Sequence, residues 1–447
     1  MSGIGLLSGC VLAPEGTEQE KARLRQAGGP FEPPLEARQL RELPQPSDWR
    51  DVLHRAFLAN GELESAYFEW KAAMARIDQA AAWPNSNLMA GYMYMFSAGH
   101  MKAWDRTTLS ATFDPAMNLQ LPIKPKQAGK VALDEARAAG YRFAKMKFDL
   151  QRRVLDAYLD LALAEERLRI QQGNVDLLKL LSQTAQARVQ TGGPQQDFLK
   201  IQIEYRLAEN DLASLESDVR SQRAMLNAML ARDAEMPLTI PTTLPSPRPV
   251  LVSDDRLLAA GVDQNPELAG LAATVAGRED ALELARLRYI PDFNPQVAFT
   301  GSISQSVGTM LMLPTNLPAI RGAINEAQSM LRSSEAMSRQ MRRDRAASFV
   351  STLVQMRNAE RQAQLFRERI LPLAEQALNS SRQSYAAGTV AFADLIDSQR
   401  TLLNVRLMLA QLRIEREKRL AELEALAGVD LETLTAPASQ PTTRPLQ

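Results

Sequence analysis

Asp394 and Asp397 stand three residues apart in the stretch YAAGTVAFADLIDSQ, residues 385–399. That spacing puts both carboxylates on one face of a helix. Two acids held so close repel each other or share a cation, and in the core of a monomer they would be costly to bury. Gly388 lets the chain turn ahead of them at little steric cost, and Thr389 has the side chain of an N-cap for the helix that follows. One reading makes the pair ordinary first-turn residues, favoured by the helix dipole. The other makes them rings of carboxylates facing water in a symmetric tunnel. The residues alone leave both open. Asp197, in the similar stretch VQTGGPQQDFLKIQ, holds the place of Asp394.

Little else in the chain offers chemistry. Cys10 is the only cysteine, which removes intrachain disulfides and cysteine-cluster metal sites. His54 and His100 are the only histidines, so His-based zinc chemistry is nearly excluded. No phosphate-binding loop, zinc-protease motif or nucleophile elbow occurs. No catalytic residue, cofactor or metal is assigned, and the expectation is a protein that is not an enzyme. Met89, Met93, Met95, Met101 and His100 have the donors for a soft cation such as Cu(I). Alternation around Tyr92 and Tyr94 reads them instead as apolar filler of a lipid-facing strand. Lys102, Trp104 and Arg106 suit a loop at a membrane rim.

The 52 basic and 52 acidic residues cancel, which argues against a nucleic-acid partner. No run of about 18 apolar residues predicts a transmembrane helix. Leu7-Ser8-Gly9-Cys10 resembles the lipobox of bacterial lipoproteins. The stretch before it is short and lacks Lys and Arg, unlike a secretory signal; lipidation at Cys10 is nonetheless the expectation.

The elements that must position the acids come in two copies. Pro-rich segments set the boundaries: residues 1–47 as signal remnant and extended segment, 237–249 as linker, and 432–447 as a disordered tail. Between them lie blocks 48–236 and 250–431. Asn60-Gly-Glu-Leu opens one and Asn265-Pro-Glu-Leu the other; AAWPNSNLMAGY answers RYIPDFNPQVAF, and LQLPIK answers LMLPTN. An offset near 200 residues marks a domain duplication.

Each block reads as helix, two strands, then a very long helical stretch. From Leu150 through Val154, Ala157, Leu161, Ala164, Leu168, Gln171, Val175, Leu178, Ser182 and Ala185 to Val189 the spacing alternates four and three, a heptad seam. Leu395, Leu402, Leu409 and Leu423 with Val405, Leu412 and Leu426 repeat it in the second block. Stretches of 50–65 residues would run roughly 75–100 Å, too long for a globular core. The strand-like pieces are NLMAGYMYMF, TTLSATFDPAMNLQL, PQVAFTGSIS and a short VGTMLML. About ten residues suffice for a tilted strand to cross a bilayer, but four strands cannot satisfy their own edges in lipid. A small soluble sheet capping a coiled coil fits the same periodicity.

Two tandem copies of helix, hairpin, long helix, Gly-break and DLxxxQ helix resemble the TolC-type outer-membrane efflux protein family. YAAGTVAFADLIDSQRTLLNVRLML carries most of the resemblance, with IPDFNPQVAF, NPEL and the lipobox-like LSGC in support. The resemblance covers about residues 48–431 and implies a mainly α protein with a small β part. Three chains would close one 12-stranded barrel in the outer membrane, four strands each, continued by an α-helical tunnel through the periplasm. Implied partners are a periplasmic adaptor (membrane fusion) protein, an inner-membrane pump and outer-membrane lipid. The implied gate is Asp394 and Asp397. The implied docking tips are Gly192, Gly193, Pro194 and Gln195 with Gly388, Thr389, Val390, Ala391 and Phe392, Phe392 supplying an apolar anchor. Pro194 replaces the Thr389 type of turn and departs from the second tip. The competing reading is a periplasmic coiled-coil tethering lipoprotein without a channel. The cargo, whether drug, metal ion or secreted protein, is not legible.

Overall fold

The computed structural model describes residues 12–82, 88–96, 100–113, 120–250 and 253–430. Cys10 and the tail 432–447 lie outside them. In chain order the elements are α1 (Thr17–Gly28), α2 (Trp49–Ala59), α3 (Gly61–Ala81), β1 (Leu88–Tyr94), β2 (Thr107–Phe113), α4 (Ile123–Gln190) and α5 (Gln195–Met229). They continue with α6 (Asp254–Asp263), α7 (Pro266–Arg286), β3 (Asp292–Thr300), β4 (Ser304–Met312), α8 (Leu317–Leu365), α9 (Leu371–Ala386) and α10 (Phe392–Ala427). The order helix, helix, strand, strand, long helix, turn, helix occurs twice, the second long helix being α8 and α9 joined by a π turn. Among the described residues no helix is long and apolar enough to cross a membrane.

Contacts divide the chain into two compact units, residues 1–32, 65–143 and 266–342, and residues 33–64, 144–265 and 343–447. Each draws on both sequence blocks. The first unit holds the sheet. Its strands pair antiparallel in the order β1-β2-β3-β4, so β1 and β4 are open edges. Register sorts the side chains by face. Tyr92, Leu109, Phe299 and Gln305 align across the sheet, as do Ala90, Ala111, Val297 and Val307. With Tyr94, Phe293, Pro295 and Leu311 they form a mainly apolar face. The other face carries Thr108, Ser110, Thr112, Asn294, Gln296, Thr300, Ser304 and Ser306. The Thr108 and Thr300 hydroxyls meet there at 3.0 Å.

Two expectations change here. The second hairpin was expected to be short, yet β3 and β4 have nine residues each; strand pairing starts at Ser304, straight after a tight turn at Gly301. The methionines do not sit with the tyrosines. Alternation places Met89 and Met93 opposite Thr112 and Thr108, on the polar face.

The N-terminal segment expected to be extended is helical over Thr17–Gly28. Phe31 beyond it stacks on Tyr67 with centroids 5.3 Å apart, and Trp70 stacks on Phe143 at 5.7 Å. The Tyr67 hydroxyl donates to Glu32 at 2.7 Å, and Lys71 bonds both oxygens of the same carboxylate. Burying these aromatic rings offsets the entropy of ordering a Pro-rich segment.

The second unit is a packed helical bundle. Of the twelve seam positions from Leu150 to Val189, nine are buried and three half-buried. Around them Ile201 and Ala208 of α5, Leu378 of α9, and Leu395, Leu402 and Val405 of α10 form one core. Buried polar groups fix the register: Gln399 donates to Asn174, and Gln171 donates to the Ala208 carbonyl at 3.0 Å. Segment 237–249, expected as linker, is packed: Leu238 and Ile240 are buried. Arg248 in it pairs with Glu417 at 3.2 Å and Glu424 at 2.9 Å. A π turn at Phe366–Ile370 joins α8 to α9. Pro372 follows it and has no amide to donate, which breaks the helical ladder locally.

Candidate functional site

The two Gly-breaks fold alike and come together at one end of the helical bundle. In the first, the Gly193 amide donates to the Arg188 carbonyl at 2.8 Å and the Gly192 amide to Val189 at 3.1 Å. In the second, the Thr389 amide donates to Ser384 and the Gly388 amide to Tyr385, both at 3.0 Å. Each is a Schellman cap, whose turning residue is left-handed: φ is +96° at Gly192 and +79° at Gly388. Glycine is required there because a Cβ is strained at such angles.

Thr389 does not take the expected role. Its hydroxyl donates backward to the Ser384 carbonyl at 3.0 Å, so it closes the helix before the break. The N-cap of α10 is Ala391, with no side-chain cap. Pro194 is the N-cap of α5, where its missing amide is no loss.

Arg188, on the last turn of α4, ties the two tips. Its Nη1 donates to the Tyr385 carbonyl at 2.9 Å, and its guanidinium lies over the Tyr385 ring, 4.3 Å from the centroid. Tyr385 is 2% exposed. Its hydroxyl points to Asp197 Oδ2 at 3.5 Å, a long bond. Burial, and then the Asp197 charge, push the Tyr385 hydroxyl above its ordinary pKa, so it stays a donor. Sequence reasoning missed Arg188 and Tyr385. The signal was present as a paired Arg and Tyr, each a few residues before a Gly-turn.

Phe392 was expected to offer an apolar anchor to a partner. It is 6% exposed and packs edge-on against Tyr385, with centroids 5.7 Å apart. The reason is geometric: as the first residue of α10 it falls on the same helical face as Leu395, Ile396 and Gln399, all buried. Gly192, Pro194, Gln195, Gly388, Thr389 and Ala391 are exposed, and Gly193 and Val390 are half-buried. Asp394 and Asp397 are exposed on the opposite face of α10, while Asp197 is half-buried. The acids are thus brought to a surface of the chain, one turn past the tip, and not into its core. Among the described residues no three of His, Cys, Asp and Glu gather as a metal site.

Residues 52–232 match the outer membrane efflux protein family. The chain is 23% identical over 384 residues to the cobalt-zinc-cadmium resistance protein CzcC of Cupriavidus metallidurans, covering 82% of this chain and 86% of that one. Its fold is shared with the outer-membrane channel OprN, at a TM-score of 0.70 and 15% identity, over 90% of this chain and 92% of the other. It is shared equally with CusC, at a TM-score of 0.71 and 15% identity, over 86% and 92%. The fold is therefore that of the outer-membrane channels: long paired helices and a four-stranded antiparallel sheet.

Proposed function

We propose that three copies of this chain form a passive outer-membrane efflux channel. The observation that carries this is the sheet. One face is mainly apolar and the other mainly polar, and among the described residues no strand pairs with the outer side of β1 or β4. In water such an apolar face would be buried, yet Tyr92 is 70% and Val307 85% exposed. In lipid the open edges would be costly unless other strands paired them. Three sheets closed edge to edge satisfy both conditions, with the polar face lining a wet lumen. Leu199, Ile203 and Leu207, at i, i+4 and i+8 on α5, are also exposed and offer neighbouring copies an apolar stripe.

In this reading the helices form a periplasmic tunnel, and the paired tips are its entrance. Rings of Asp394 and Asp397 put up to six carboxylates around the axis and select cations. The exposed tip residues meet a periplasmic adaptor, which links the channel to an inner-membrane pump; Phe392 holds the tip from inside. Cys10 carries the lipid anchor. The likeness to CzcC suggests divalent metal cations as cargo. The channel conducts and does no bond chemistry.

Planar-bilayer recording tests the reading. The purified protein should insert and give discrete, cation-selective conductance steps. A protein that binds vesicles but never conducts would be a tether, and the channel would be refuted.

A further inference from the structure

The methionines of the two edge strands stand on the face where lipid filler has no use. Met89 and Met93 are set opposite Thr112 and Thr108, and Met310 and Met312 opposite Asn294 and Asp292. The Met95 amide donates to the Arg106 carbonyl at 2.9 Å, so the ladder runs on and Met95 shares the face by alternation. All five side chains are exposed, between 43% and 70%. Between them the inner strands present mainly Thr, Ser, Asn and Gln to the same side, with Ala298 and, at the end of β3, Asp292. The thioethers are therefore confined to β1 and β4, the two open edges.

We propose that each seam between neighbouring chains holds a thioether site for a soft monovalent cation, Cu(I) or Ag(I). This rests on the barrel reading above. Closure pairs β4 of one chain antiparallel with β1 of the next, because strand direction alternates around the sheet. Registers that keep lumen with lumen differ by steps of two residues. Met310 or Met312 falls directly opposite Met89, Met93 or Met95 in five consecutive such steps. In one of them Met93 faces Met312 while Met95 faces Met310. Opposed side chains have Cβ atoms about 4.5–5.5 Å apart, near enough for two flexible thioethers to share one ion. Thioether sulfur is neutral and polarizable. It selects Cu(I)-like ions over Zn(II) or Mg(II), which want imidazole or oxygen. The Asp292 carboxylate opposite Met312 is already paired with Lys124 at 2.7 Å, so the donors left to the ion are neutral thioethers, which hold it weakly enough to let it leave, as conduction requires.

The test is equilibrium dialysis of the detergent-solubilised protein against Ag(I), with bound silver and particle mass measured on one sample. The expected result is saturable uptake in a multiple of three ions per trimer, with no matching uptake of Zn(II). Two variants, Met89→Leu/Met93→Leu/Met95→Leu and Met310→Leu/Met312→Leu, should each abolish that uptake, since each edge supplies half of every site. Met330→Leu/Met337→Leu on α8 controls for other exposed methionines and should keep it. A trimer whose edge variants bind as much silver as the unaltered protein overturns the site and leaves the barrel standing. Loss from one edge variant alone overturns the seam. A monomer in the mass measurement overturns the barrel, and the site with it.

Discussion

Arg188→Ala should loosen both tips at once. In the structure Arg188 makes a charge-assisted bond to the Tyr385 carbonyl at 2.9 Å and a cation–π contact at 4.3 Å. A hydrogen bond from a charged group contributes about 1.5–3 kcal/mol, and a partly desolvated cation–π contact about 0.5–2 kcal/mol. Arg188 is half-buried, so water replaces part of what is lost, and roughly 2–3 kcal/mol is the expected weakening. At about 1.4 kcal/mol per tenfold, local opening should become roughly 30- to 140-fold more frequent. Amide hydrogen exchange reads this directly at Gly192, Gly193, Gly388 and Thr389, whose amides close the two turns. Arg188→Lys keeps the charge but loses the planar fork, and should fall between. Exchange that is unchanged at the second tip, across from the mutation, would show that Arg188 does not couple the two turns.

Asp394→Ala/Asp397→Ala should weaken cation selectivity and relieve block by multivalent cations in bilayer recordings while the trimer persists; unchanged selectivity would leave these acids as plain helix-start residues. The two faces of β4 should respond in opposite ways. Val307→Arg places a cation on the apolar face, at roughly 2–4 kcal/mol per chain in mid-bilayer, and should abolish membrane assembly, whereas Ser306→Arg should assemble and alter only conductance. Asp156 gives a pH prediction. Burial raises its carboxyl to about 6, against the partial opposition of Arg152 and Lys418. A folded pKa above the unfolded one means that the fold favours the protonated acid, so its penalty is absent below about pH 4 and full above about pH 6. Asp156→Asn should therefore raise the melting temperature above pH 6, by up to roughly 3 kcal/mol of stability, and change little at pH 4; an equal effect at both would refute the assignment.

The long helices were legible because a four-three spacing sustained over forty residues has no other folded meaning; positions such as Val154, Leu161 and Leu178 are buried as read. The strands were legible as segments but not by face. Period two is unambiguous only once pairing fixes which side is apolar, and the methionines, apolar by type, pointed the wrong way. The N-terminal helix was hidden by prolines on both sides of it, and the segment that carries it is held through Phe31 by distant aromatics, Tyr67 and Phe143, that no local pattern reveals. The Gly-turns were found from glycine alone. Arg188 and Tyr385 were not, because they are 197 positions apart in sequence and only the packing of α4 on α9 makes them a pair. Phe392 misled for a related reason: a phenylalanine beside a turn looks exposed until the helix it begins shows which way it faces.

Closure of the sheet by other copies of the chain is the central claim, and pairing of β1 with a neighbour's β4 tests it most directly. Within one chain these strands are three strand spacings apart, about 14 Å, too far for a disulfide. Tyr92→Cys should be combined in turn with Ala, Ser or Cys at Val307, Thr309 and Leu311, all on its own face, and oxidised in intact membranes. For at least one cysteine pair the account predicts covalent dimers and trimers that need both cysteines. Chains that stay monomeric for every pair, in membranes where the protein is present, would contradict it.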